Sequence, residues 1–193
     1  MKKTVFVKNV LHGGQMNKLI WDIEKIEKRF EIILKKNTTV LGLDTASKTG
    51  YCIAKTDSKK LILEIGFINV DVSKIEDKYA RNEMRYNVIC DTLQDLITTR
   101  FETVCIEDVY YGCNILSLIL LARIGAIAYT VCKVKKIKNI VWKSAVQARK
   151  LLGLPCNKKK VVVQKEFSKK LGLVLHNEDE IDAIILALVG LIQ

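Results

Sequence analysis

The sequence predicts an α/β fold: a mixed five-stranded sheet with helices on both faces, preceded by an N-terminal extension. Three observations predict it. Apolar spacing alternates between period two and a period near 3.6 in the order βββαβαβα, with extra helices at the end. At 193 residues and 49% hydrophobic content, the chain is long enough for one sizeable core plus an appendage. A single proline, Pro155, and ten scattered glycines leave no stretch that reads as a flexible linker.

The elements follow in order. TTVLGLD (residues 38–44), TGYCIAK (49–55) and LILEIGFINV (61–70) are β-rich runs separated by short polar turns, the signature of an antiparallel meander. A helical segment follows over about 75–99, with Tyr79, Tyr86, Ile89, Leu93, Leu96 and Ile97 near a helical period. TVCIE (103–107) is a short buried strand, and residues 115–132 form a strongly apolar helix. KVKKIKNIV (133–141) alternates as a strand with one basic face. WKSAVQARKLLG, KKKVVVQKEFSKKLG and EDEIDAIILALVGLI read as the closing helices.

Residues 1–38 stand apart from 39–193. Met16, Leu19, Ile23, Ile26, Phe30 and Ile33 recur in steps of three and four, which predicts an amphipathic helix. The pattern is shorter than an independent coiled coil needs. It suits packing on the chain's own domain or a dimer contact.

A net charge of +11 suits a polyanionic partner, since each cation near a phosphate releases condensed counterions. The six cysteines show no CxxC pair, and several sit in apolar runs as small hydrophobes, which predicts reduced thiols and a cytoplasmic protein. The run ILSLILLARIGAIAYTVC (115–132) is nearly long enough to span a bilayer. Arg123 at its centre costs about 2.5–3.5 kcal/mol on an insertion scale, so a helix packed on the sheet is expected and no membrane span.

Four acids fall where this layout gathers side chains. Asp44 ends the first strand and Glu107 ends the fourth. Asp179 and Asp182 are three apart at the start of the last helix, hence on one face. Each alone has a structural use: Asp44 as a turn former, Glu107 as an exposed strand end, Asp179 as a favourable charge at a helix N-terminus. Together they repel unless cations intervene, and an oxygen-only ligand set suits Mg²⁺, with Mn²⁺ as a substitute. Two such ions about 3.5–4 Å apart clamp the attacking and leaving oxygens of a phosphoryl displacement.

With these motifs in order, the chain resembles the RuvC-type Holliday junction resolvases over roughly 39–193. LGLDTASKTGY is similar to the family's first motif, IEDVY with Asn114 and LARIGA to its second, and DEIDAIILAL to its third. The resemblance implies an RNase H-like fold and Asp44, Glu107, Asp179 and Asp182 as catalytic metal ligands. It implies about two ions per site. It further implies a homodimer that nicks a four-way DNA junction symmetrically, leaving 5′-phosphate and 3′-hydroxyl ends. Tyr110, in the family's aromatic position, and adjoining Tyr111 would meet unpaired bases; Lys143, Lys158, Lys159 and Lys160 would meet phosphates. His176 offers either a general base or a surface residue. Two departures stand out: the N-terminal extension, and WKSAVQARKLLGLP where the family has a glycine-rich basic segment. Other substrates for the same chemistry remain open, among them other branched DNA, an RNA–DNA hybrid or a pre-rRNA. So does a DNA-binding module without catalysis, which would not need all four acids. An actin-like ATPase is excluded by length, since that fold requires two such domains.

Overall fold

The chain follows the expected alternation, with additional strands at its front. The computed structural model describes residues 8–11, 14–109, 114–156, 158–172 and 178–193. It opens with β1 (Lys8–Leu11), β2 (Gly14–Asp22) and a helix, α1 (Ile23–Phe30). Next come β3 (Thr39–Asp44), β4 (Thr49–Thr56), β5 (Lys60–Ile68), α2 (Lys78–Leu96), β6 (Thr103–Glu107) and α3 (Ile115–Val134). β7 (Asn139–Lys143), α4 (Ala145–Leu151), α5 (Lys160–Leu171) and α6 (Glu178–Leu191) complete it.

Local chemistry explains many of the boundaries. The β4–β5 turn closes on Asp57, whose carboxylate accepts from the Lys59 and Lys60 amides at 2.7 Å. Asp77 and Asn114 cap α2 and α3 by accepting from the amides of Ala80 and Ser117. Ser144 and Gln147 form a reciprocal capping box on α4, and Gly172 ends α5 in the left-handed conformation at φ 71°.

The strands form one sheet in the order β1-β2-β5-β4-β3-β6-β7. β3, β4 and β5 are the antiparallel meander, and β6 and β7 run parallel to β3. The expectation of five strands is corrected to seven, because the extension pairs onto β5, with Asn17 opposite Ile65 and Asp22 opposite Lys60. An open β5 edge would leave a row of unpaired amides and carbonyls, and β2 covers it.

The predicted N-terminal helix is likewise shorter than its apolar pattern. Met16 and Leu19 lie in β2, the helix begins at Ile23, and Ile33 beyond it is exposed. The residues that remain of the stripe do bury: Leu19, Ile23, Ile26 and Phe30, joined by Leu34 in place of Ile33, share one core with Leu61, Phe167, Leu171 and α6. The Phe30 and Phe167 rings meet at 5.6 Å, and Arg29 donates to the Leu171 carbonyl at 2.7 Å. The first segment therefore belongs to the domain's core. A second core, on the opposite face, holds Leu41, Leu43 and Ile106 under α2 and α3.

The basic strand expected from residue 133 starts later. α3 continues through Val134, Lys136 turns with φ 57°, and β7 begins at Asn139. A lysine suits a helix C-terminus as well as a strand face, and α3 takes Lys133 into its last turn with Lys135 at its C-cap. α3 is long and apolar enough to cross a membrane by length and composition. In this fold Ile124, Ala128, Val131 and Cys132 of α3 pack into the second core.

Candidate active site

Strand register brings the first two acids together. β3 and β6 run parallel with Leu43 beside Ile106, so Asp44 and Glu107 are the next pair along. Side chains alternate across β3: Leu41 and Leu43 enter the α2/α3 core, while Gly42 and Asp44 face α6. A Cβ at Gly42 would run into the backbone of Ala183 and Ala187, so only glycine lets α6 rest directly on β3. That close approach carries Asp182, in the second turn of α6, to the two strand-end carboxylates.

The resulting cluster is buried. Asp44 is 4% exposed and Asp182 6%. Burial, then a hydrogen bond with Glu107, then the charges of Glu107 and Asp182 raise the Asp44 carboxyl well above its ordinary range. Lys160 acts in the opposite direction. Thr45, just after the strand, donates its hydroxyl to the Glu107 carbonyl oxygen at 3.4 Å and ties the two strand ends together.

Asp182 has two cationic partners. Arg149 on α4 donates from Nη2 to both carboxylate oxygens, at 3.0 and 3.3 Å, and Lys160 at the start of α5 stands 3.1 Å away. Arg149 is itself only 7% exposed. Burial works against the Lys160 charge, but Asp182, followed by Asp44 and Glu107, holds its ammonium above the ordinary value.

The donor set fits a hard divalent cation at Asp44 and Glu107: two adjacent carboxyl groups, oxygen only, Asp44 buried and Glu107 partly so, with the Asp44 carboxyl raised by burial and by its acidic neighbours. Asp182 is adjacent, with its charge met by Arg149 and Lys160. Among the described residues, no three acid, histidine or cysteine side chains close around one point. The Asp179 backbone lies in the first turn of α6, and its side chain is outside what the structure describes. Tyr110, Tyr111 and His176 are outside the described residues as well.

The expected lysines divide. Lys160 reaches the acids, whereas Lys158 and Lys159 are exposed on the approach to α5. Lys143 ends β7 level with Glu107. Arg149 was not singled out from the sequence, where QARK reads as ordinary helix surface. No local signal marks it: that Arg149 lies beside Ala148 on the buried side of α4 is visible only in the folded chain, where a buried guanidinium requires an acid.

The chain is similar to known proteins. A family model described as "Crossover junction endodeoxyribonuclease RuvC" matches residues 40–190. RuvC of Helicobacter pylori (strain Shi470) is 31% identical over 120 residues, covering 58% of this chain and 69% of the relative. That of Helicobacter acinonychis (strain Sheeba) is 30% identical over the same length. Among solved structures, T. thermophilus RuvC in complex with Holliday junction substrate superposes with a TM-score of 0.57 at 15% identity, over 78% of this chain and 90% of that one. The Thermus thermophilus RuvC structure gives 0.56 at 14% identity, over 78% and 92%. At those identities the structural likeness shows a shared fold.

Proposed function

Since the chain belongs to the RuvC family of crossover junction endodeoxyribonucleases, we propose that it resolves four-way DNA junctions by metal-dependent hydrolysis, nicking two strands symmetrically and leaving 5′-phosphate and 3′-hydroxyl ends. The observation that carries the reading is the pair of Asp44, buried, and Glu107, partly buried, with buried Asp182 beside it, at the strand ends where α6 crosses the sheet.

Asp44 and Glu107 would hold Mg²⁺, with Asp182 and Asp179 completing the ligands for a second ion. The bound ions supply an activated water and charge stabilisation at the leaving oxygen. Asp44 must give up its proton to serve, so its raised carboxyl ties loading of the site to pH. Arg149 fixes the Asp182 carboxylate through two contacts and limits its rotation. The Lys160 side chain, half exposed and charged, is placed to exchange Asp182 for an incoming phosphate. Lys143, Lys158 and Lys159 extend positive charge along the adjoining surface, and Tyr110 and Tyr111 would meet unpaired bases at the junction centre.

Two symmetric nicks require two sites. Exposed Ile115, Leu116 and Ile119 on α3 supply an apolar face for a second copy. The test compares a synthetic four-way junction with duplex, flap and RNA–DNA hybrid, each with and without Mg²⁺. Paired nicks in the junction that depend on Mg²⁺ are expected. Equal or faster cleavage of the hybrid or of plain duplex would overturn the junction reading.

A further inference from the structure

We propose that Trp142 and Tyr129 form a second aromatic contact with DNA: a platform on which an unpaired nucleobase of a strand leaving the active site stacks. The proposal rests on the junction-cutting reading and adds a binding site to it.

The placement follows from β7. Its last residue, Lys143, is level with Glu107, and Trp142 is level with Ile106, one residue back. Alternation sends Trp142 to the opposite face from Lys143, toward α3. There the indole lies 3.3 Å from where a Cβ of Gly125 would sit, and that same point is 4.0 Å from the Thr45 hydroxyl. Thr45 in turn holds the Glu107 carbonyl. The indole and Thr45 thus approach the same point over Gly125, and Thr45 bonds the strand end that carries Glu107.

Tyr129 lies one helical turn beyond Gly125, with its ring centroid 6.1 Å from that of Trp142 and the planes tilted by 33°. Both rings remain open, Trp142 at 36% exposure and Tyr129 at 40%, whereas the Phe30–Phe167 pair is buried in the core. Lys133 stands 6.0 Å from the Tyr129 ring centroid, and exposed Lys136 and Lys138 follow in the turn before β7. Open aromatic faces interleaved with ammonium groups match the two halves of a single-stranded nucleotide, base on ring and phosphate on lysine.

Fluorescence tests this directly, because the chain has two tryptophans, Trp21 and Trp142. A Trp21→Phe chain leaves Trp142 as the sole indole. It should be titrated in Ca²⁺ with a four-way junction, with the same junction carrying unpaired thymines at the exchange point, and with duplex. The expected result is quenching of Trp142 by the two branched DNAs and little by duplex. Trp142→Ala should weaken junction binding about tenfold, while Trp142→Phe keeps most of it, because stacking uses the ring face. Binding without any change in Trp142 emission, equal quenching by duplex, or native affinity in Trp142→Ala would each overturn the platform and leave the resolvase reading standing. Emission that shifts with protein concentration in the absence of DNA would assign the rings to a contact between copies and overturn it too. If the unaltered chain binds no branched DNA, the junction reading itself fails, and the platform with it.

Discussion

Replacing Arg149 with methionine removes one cation from the buried acid cluster while keeping an unbranched apolar stem. Arg149 and Asp182 are 7% and 6% exposed, and one guanidinium nitrogen serves both carboxylate oxygens. Removing one partner of a buried ion pair costs about 3–5 kcal/mol when the remaining charge is left alone. Here Lys160 stays 3.1 Å from Asp182, but its side chain is 51% exposed and can compensate only partly. The expected loss is therefore at the lower end, about 3 kcal/mol. In a domain of this size that lowers Tm by about 6–12 °C. Calorimetry or urea unfolding in EDTA reads it. A double-mutant cycle with Asp182→Asn isolates the pair, and a coupling of about 2 kcal/mol is expected because the doubly altered site buries no unpaired charge. A loss below about 1 kcal/mol for Arg149→Met, or strictly additive effects in the cycle, would refute the claim that this pair organises the site.

Two further predictions concern the acid pair and the N-terminal segment. Because the folded protein raises the Asp44 carboxyl, it binds that proton more tightly than the unfolded chain does; the resulting stability is complete below the ordinary value of 3.8 and is lost as pH rises through the folded value. In EDTA at neutral pH, Asp44→Asn should then be more stable than the native chain, the difference should close in acid, and Mg²⁺ should stabilise the native chain more; an Asn variant less stable at pH 7 would contradict this. Ile26 is fully buried, so Ile26→Ala should cost about 2–5 kcal/mol in urea unfolding, and a chain beginning after Lys36 should lose more by uncovering β5 and Phe167; equal stability of that shortened chain would show the segment to be dispensable.

The sequence made the sheet's centre legible because β3 and β6 are apolar runs that each end in an acid, and because Asp179 and Asp182 open an apolar helix. Their meeting depends on Gly42, whose importance appears only once Ala183 and Ala187 are seen lying against it. The N-terminal segment misled for a definite reason. Steps of three and four in Met16, Leu19 and Ile23 fit a helix, but the tertiary demand of an open β5 edge draws residues 14–22 into a strand. Arg149 was hidden because no local pattern in a short basic helix tells an exposed guanidinium from one buried against an acid contributed 33 residues later.

In the proposed reaction Asp44, Glu107 and Asp182 would perform hydrolysis while the surrounding lysines bind DNA. The most direct test is a paired measurement on one four-way junction, affinity by gel shift and nicking rate in Mg²⁺, for Asp44→Asn, Glu107→Gln and Asp182→Asn. The amides keep shape and remove charge, so nicking should fall by several orders of magnitude while affinity holds or rises as negative charge leaves the site. Near-native nicking by any one of the three would remove that residue from the catalytic set and show that the acid cluster is not the hydrolytic site.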